Sequence, residues 1–180
     1  MAISLIPAAS AINGTLPFAQ LPTGSVLQVV NVNRTPNTQT ESTTSDSWID
    51  TYLSASITPK FSTSKILVIA SSSFYVVSGS NFPTMNFGLK RAISGGSTTT
   101  GIGSQCGLYF DNRTTGTLFS SQVIPATLSY LDSPSTTSAT TYTLQYYFRR
   151  VAGGSGAAGD SGNSTATTTT PTITLMEIAS

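Results

Sequence analysis

The feature that most constrains this sequence is a repeated alternation of apolar and polar residues with a period of two. Leu53, Ala55 and Ile57 alternate with Ser and Thr, and the pattern recurs at 142–148 and at 172–175. No window places apolar residues at spacings of three and four with helix formers between them. Because successive side chains of a strand point to opposite faces, this alternation predicts strands with one buried face. We therefore expect an all-β chain.

Other segments extend the pattern to about eight to ten short strands. The run 65–70 is almost continuously apolar, which predicts a strand that is central in its sheet. In 26–32, Val26, Val30 and Val32 are expected to share one face. Clusters of Gly, Ser, Asn and Asp separate these segments and predict turns. The remaining strand candidates are 73–77, 84–92, 105–110, 117–123 and 126–131. This organisation predicts an antiparallel β-sandwich that is jelly-roll-like, and not a βαβ fold.

Two segments differ from the rest of the chain. Residues 1–24 carry three prolines and scattered apolar residues without a period, so we expect an extended N-terminal docking arm. Residues 25–180 form the predicted sandwich domain, and within it 152–170 is of low complexity and is expected to be a flexible Gly/Ser/Thr loop between the last two strands. The apolar residues proposed to dock the arm on a partner are Leu5, Ile6, Leu16, Phe18 and Leu21.

The composition argues against several classes of function. The chain has no His, one Cys (Cys106), 8 basic and 7 acidic residues, and a formal net charge of +1. Proton transfer near neutral pH usually uses His or tuned carboxylates, and the acids here show no clustering. One Cys without His cannot build a zinc site, and the basic residues lack the clustering that nucleic-acid binding requires. We expect no enzyme activity, no cofactor, no metal and no nucleic-acid partner.

Targeting signals are also missing from the sequence pattern. Residues 1–11 have no positively charged start, and Pro7 interrupts their apolar run, so a signal peptide is not expected. No apolar stretch approaches the roughly 18 residues that span a membrane. Membrane insertion is therefore not expected.

A few residues stand out as possible contacts with a ligand or partner. Tyr147 is out of phase with Tyr142, Leu144 and Tyr146, so it is expected to face solvent or a partner. Tyr and Trp offer large contact area at low entropic cost. The candidates for ligand or interface contacts are Trp48, Tyr147, Arg149 and Arg150.

Three other features have simpler interpretations. Asp46 and Asp50 flank Trp48, which is compatible with a sugar or metal site, although a solvated turn before a strand explains the same pattern. The glycine-rich stretch 101–107 has the wrong spacing for a dinucleotide fingerprint, and we expect a turn entering a strand. Cys106 has no basic partner nearby and is expected to be a buried, inert thiol.

Four stretches together resemble a known family. They are GSVLQVV at 24–30, LSASITPKFSTSKILV at 53–68, GLKR at 88–91 and ITLMEIA at 173–179. These stretches occur in the order found in the C-terminal β-domain of tail-fibre and related virion proteins of tailed bacteriophages, including cyanophages, and the resemblance covers about residues 24–180. The resemblance implies a homotrimer of β-sandwiches in a virion appendage, often one that binds a host-surface glycan or protein.

The short arm departs from the pattern of that family, whose fibres carry a long shaft or attachment domain upstream. Two roles remain open on this basis. In the first, the protein is a short tail-fibre or tail-tip protein for host recognition, which docks on another virion protein through its arm. In the second, it is a capsid decoration protein that stabilises the head. A glycan-degrading spike would need paired carboxylates, and a secreted cellular adhesin would need a signal sequence.

Overall fold

Two antiparallel sheets stack face to face in the computed structural model, which describes residues 21–34, 47–78, 84–108, 122–149, 156–160 and 170–180. The strands of this described part are β1 (Val26–Asn33), β2 (Trp48–Ile57), β3 (Lys65–Ser78), β4 (Thr84–Ile93), β5 (Thr98–Leu108), β6 (Gln122–Asp132), β7 (Thr140–Arg149), β8 (Gly156–Asp160) and β9 (Thr172–Ile178). The described residues contain no helix, and so none that could cross a membrane.

The order of the strands identifies the fold. The first sheet runs β1-β9-β3-β6, with β8 also paired to β3, and the second sheet runs β2-β7-β4-β5. The antiparallel pairs β4–β5, β3–β6, β2–β7 and β1–β9 are nested in the chain, as when a long antiparallel ribbon is wound into two sheets. This is the arrangement of a jelly roll, with β8 as an additional strand. The all-β sandwich expected from the sequence is confirmed.

The core lies between the two sheets and is built by the alternation seen in the sequence. Strand β2 alternates strictly from Thr51 to Ile57 between buried and exposed residues. The largest side chains with almost no exposed surface are Leu53, Ile66, Leu89, Leu128, Tyr142, Leu144, Tyr146, Ile173 and Leu175, which come from six strands and both sheets. Removing these side chains from water supplies the main driving force for the fold.

Strand β3 is central, as its apolar run predicted, and longer than expected. It joins the candidates 65–70 and 73–77 into one strand that pairs with β6 along most of its length. On its other side β9 pairs with 65–71 and β8 with 74–78. The sequence predicted one loop over 152–170, but the structure places β8 within it. This segment is rich in Gly and Ala, so its sequence did not indicate a strand.

Local irregularities explain the other differences from the sequence-based expectations. The register of β1 shifts between Val26 and Gln28, so Leu27 is buried and Val26 is 51% exposed. The prediction that Val26 shares a face with Val30 and Val32 was therefore wrong. Strand β5 starts at Thr98 and tolerates Gly101 and Gly103 at positive φ, whereas a turn was expected there.

Several predictions fall outside the described residues. These include the docking residues Leu5, Ile6, Leu16 and Phe18 of the arm. Leu21 is described and is half-buried. It is followed by a turn in which Ser25 donates a backbone hydrogen bond to the carbonyl of Pro22, and Gly24 then donates to Ala179. The chain thus enters β1 beside the end of β9.

Candidate functional site

Trp48 and Tyr147 form an aromatic pair on the outer face of the second sheet. They are cross-strand partners in β2 and β7, and their ring centroids lie 5.5 Å apart with planes tilted by 52°. Tyr142, Leu144 and Tyr146 point into the core, so the alternation of β7 turns Tyr147 outward. Both members of the pair are half-buried. The sequence singled out each residue, and the structure brings them together.

Two glycines make room for the indole of Trp48. A Cβ atom on Gly101 would lie 2.5 Å from its Nε1, and one on Gly88 would lie 2.8 Å from its Cη2. Gly101 also has a φ of +67°, which side-chain-bearing residues rarely adopt. Trp48 therefore reaches from β2 across β7 to the backbone of β4 and β5, and the two glycines fix its position.

A polar network lies beside and beneath this aromatic pair. Gln145 donates from Nε2 to Oδ1 of Asp50 at 2.7 Å, and its Oε1 accepts the N–H of Gly101 at 3.0 Å. The other carboxylate oxygen of Asp50 pairs with Nζ of Lys90. Gln145 is buried, whereas the side chains of Asp50 and Lys90 are 43% and 26% exposed. We call Trp48, Asp50, Lys90, Gln145 and Tyr147 the aromatic–polar patch.

The patch differs in part from what the sequence suggested. Asp50 was expected in a solvated turn before a strand, but it lies on β2 and is bound by Gln145 and Lys90. Asp46 falls outside the described residues. The backbone of Arg149 pairs with Thr84, but the side chain of Arg149 and the whole of Arg150 are not described. The alternation of β7 could have indicated Gln145, because it is in phase with Tyr147. No feature of the sequence around Trp48 or Tyr147 indicates Lys90, because Lys90 lies on β4, far from both in the sequence.

Asp132 is a buried carboxylate that connects the two sheets. Its oxygens accept hydrogen bonds from Nη1 of Arg91 at 2.8 and 2.9 Å and from the hydroxyl of Tyr142 at 2.6 Å. Burial, reinforced by the hydrogen bond to Asp132, raises the pKa of Tyr142 well above its usual value. Since Asp132 is occupied by a guanidinium and a phenol, its role is structural.

Glu177 is a second buried carboxylate, at the end of β9. Its Oε1 accepts a hydrogen bond from the backbone N–H of Lys60 at 2.6 Å, and its Oε2 accepts one from Nε2 of Gln28 at 2.5 Å. Gln28 also donates to the carbonyl of Thr58 at 2.7 Å. Gln28 lies on β1 and Glu177 on β9, whereas Lys60 follows the end of β2, so the three residues are distant in the sequence. Their hydrogen bonds hold the loop between β2 and β3 against β1 and β9.

The described residues offer no arrangement for metal chemistry. No group of three or more His, Cys, Asp or Glu side chains within them lies close enough to hold a metal ion. The two buried carboxylates each serve a hydrogen-bonded network between structural elements. Cys106 pairs through its backbone with Asn86, and its side chain is not described.

The outer face of the first sheet carries a row of four apolar side chains. Val29, Met176, Leu67 and Leu131 are successive register partners across β1, β9, β3 and β6. Val29 is 56% and Leu131 is 48% exposed, and the two central members are partly exposed. Three strand spacings give this apolar row a length of about 14 Å. One adjacent row on the same face consists of Asn31, Thr174, Ile69 and Ser129, which are uncharged, and the other contains Val26, Ile178 and Lys65.

The geometry defines the class of the chain: a jelly-roll β-sandwich that carries an apolar row on one outer face and the aromatic–polar patch on the other. No protein-family model matches the sequence, and no curated protein matches it. Solved structures of infectious bursal disease virus show a weak similarity to this chain. For the Gx strain the TM-score is 0.40 with 13% identity over 84% of this chain, and for the Gt strain it is 0.36 with 13% identity over 88%. The chain spans 36% and 37% of those two chains.

Proposed function

We propose that this chain is a non-enzymatic structural protein of a bacteriophage virion, and that it acts as a short tail-fibre or tail-tip protein that recognises the host surface. The observation that carries the proposal is the apolar row on the outer face of the first sheet. When a partner covers a side chain such as Val29, the assembled state is stabilised, by up to about 1.5–3 kcal/mol for complete burial. The row therefore favours assembly.

The surroundings of the row favour contact between copies of a chain that carries little charge. The row extends from β1 at one edge of its sheet to β6 at the other. On one side of it, the row from Asn31 to Ser129 contributes hydroxyl and amide groups that can pair across an interface without the cost of burying charge. On the other side, the register partners Val26, Ile178 and Lys65 add apolar surface and one charge at the margin. A protein with a net charge of +1 also has weak electrostatic protection against association.

The expected assembly is a homotrimer, as the resemblance to the phage β-domain implies. Three copies that meet through the apolar rows would leave the aromatic–polar patch of each copy accessible, because the patch lies on the opposite side of the sandwich. Three linked sites multiply a weak affinity for a repeated host-surface ligand. Assembly through the apolar row and an accessible patch on the opposite face together support a recognition role. In this proposal the arm of residues 1–24 attaches the protein to another virion protein.

Immunogold labelling of purified virions tests this proposal. We expect gold at the periphery of the tail. Gold distributed over the head would overturn the tail-fibre role and favour a capsid decoration protein, in which the apolar row seals contacts between capsomers. Absence of gold from the whole particle, with the antibody active on the isolated protein, would overturn the virion role itself.

A further inference from the structure

We propose that the aromatic–polar patch on the outer face of the second sheet is a binding site for a neutral saccharide. This inference rests on the proposed function and names the class of ligand that the host surface would offer. The site is composed of Trp48, Tyr147, Asp50, Lys90 and Gln145, which are contributed by β2, β7 and β4.

The aromatic pair gives the site its apolar contact surface. The C–H-bearing faces of a pyranose ring are apolar, and a sugar packs them on aromatic rings, while its hydroxyls point sideways. Trp48 and Tyr147 are tilted by 52°, so together they form an angled wall and not one flat plate. Because the indole lies directly against the backbone of Gly88 and Gly101, its position is set before a ligand arrives. A preorganised ring loses little entropy on binding.

The polar members give the site its directionality. Asp50 and Lys90 are both partly exposed, so the carboxylate has acceptor capacity and the ammonium has donor capacity beyond the contact they share. Gln145 holds Asp50 from beneath, in a position that β7 and the N–H of Gly101 define. Vicinal sugar hydroxyls donate and accept at adjacent positions, which matches a carboxylate beside an ammonium.

The balance of charge selects a neutral ligand. The patch contains one carboxylate and one ammonium, and they are paired. An anionic ligand would have to compete with Asp50 for Lys90, and a cation would have to compete with Lys90 for Asp50. A polyhydroxylated neutral molecule can bind both groups without separating them.

Trp48 is the single tryptophan of the chain and therefore reports directly on this site. The probes are the methyl glycosides of glucose, galactose, mannose, rhamnose and N-acetylglucosamine, added to the full-length protein while tryptophan emission is recorded. We expect at least one glycoside to change the intensity or wavelength of the emission saturably. The variant Tyr147→Ala keeps the reporter and should weaken that binding by about tenfold or more.

A matched control separates the site from aromatic surface in general. Tyr52 is also exposed on β2, but the guanidinium of Arg34 lies 4.7 Å from the centre of its ring. Tyr52→Ala should leave the saccharide affinity unchanged. Lys90→Ala tests the polar half of the site without altering either ring, and it should also weaken binding. Circular dichroism of each variant verifies that the sheets remain intact.

Binding of fluorescently labelled protein to host cells distinguishes failure of the site from failure of the proposed function. If the protein binds cells but no glycoside changes the emission up to its solubility limit, the saccharide site is wrong and host recognition stands. If a glycoside binds with equal affinity to wild type, Tyr147→Ala and Lys90→Ala, the location of the site is wrong. If neither cells nor glycosides are bound, both the site and the recognition role are overturned.

Discussion

The hydroxyl of Tyr142 in the second sheet donates a 2.6 Å hydrogen bond to the carboxylate of Asp132 in the first. Arg91 binds the same carboxylate through Nη1, so two groups of one sheet hold a single acid of the other. Elsewhere the two sheets meet mainly through apolar side chains, which pack without fixed direction. This contact therefore adds a specific polar link to the stacking of the sheets.

Replacing Asp132 by Ala should destabilise the protein by about 2–4 kcal/mol. Breaking a fully buried ion pair costs about 3–5 kcal/mol, and the cost is lower here because Arg91 keeps some access to water. Lys90→Ala is the control, since the exposed pair with Asp50 should contribute at most about 1 kcal/mol. Urea unfolding at neutral pH measures both. Equal losses for the two variants would contradict the structural role of Asp132.

The buried Tyr142 should make stability fall at alkaline pH. Its pKa is raised in the folded state by burial first and by Asp132 second, whereas an unfolded tyrosine titrates near about 10. The neutral phenol is therefore favoured in the folded chain, and its contribution is fully present below pH of about 10. Above that pH the unfolded chain loses the proton first, so the contribution decreases as pH rises.

Comparison of wild type with Tyr142→Phe isolates this effect, because every other titratable group is the same in the two proteins. The difference in the free energy of unfolding should be constant between about pH 7 and 9 and should decline above about pH 10, with a slope of up to about 1.4 kcal/mol per pH unit. Two curves that stay parallel through the alkaline range would show that Tyr142 ionises freely in the folded state.

Glu177→Gln should destabilise the protein by about 1–3 kcal/mol. The amide can still accept from Lys60, but its NH₂ group then faces the NH₂ group of Gln28, so one buried polar group loses its partner. Asn31→Ala removes an exposed side-chain hydrogen bond between the same two strands and should cost less than about 0.5 kcal/mol. Thermal unfolding compares the two, and a loss for Glu177→Gln no greater than that for Asn31→Ala would refute the network.

Gly101 and Gly95 form a matched pair for the position of Trp48. Both have a positive φ, of +67° and +69°, but a Cβ on Gly95 meets nothing within 4 Å, whereas one on Gly101 meets the indole. Gly95→Ala should cost about 1–2 kcal/mol from backbone strain alone. Gly101→Ala should cost about 1–3 kcal/mol more, because Trp48 must move, and it alone should shift the tryptophan emission. Unchanged emission would contradict the close packing.

Much of the fold could be predicted because burial of one face leaves a period of two in the sequence. Leu53, Ala55 and Ile57 show it, and the phase of Tyr147 against Tyr146 correctly placed Tyr147 outside the core. The alternation failed where the ladder is irregular. The register shift after Val26 reverses the face of one residue, and no local signal in the sequence reports such a shift.

The candidate site could be predicted only in part, because its members are distant in sequence. Trp48 and Tyr147 were identified by residue type, but their pairing depends on β2 lying beside β7. Lys90 and Gly101 reach the patch only through the order of the second sheet. The buried acids Asp132 and Glu177 were missed for the same reason, since their partners lie on other strands.

The mass of the protein in solution tests the central claim, assembly through the apolar row, most directly. Sedimentation equilibrium at about micromolar concentration should give three times the mass of one chain for the wild type. The double variant Val29→Ser, Leu131→Ser removes the two most exposed members of the row and should give the mass of one chain with unchanged circular dichroism, while Ser129→Ala on the same face should remain trimeric. A monomeric wild type, or a double variant that still forms trimers, would contradict the account.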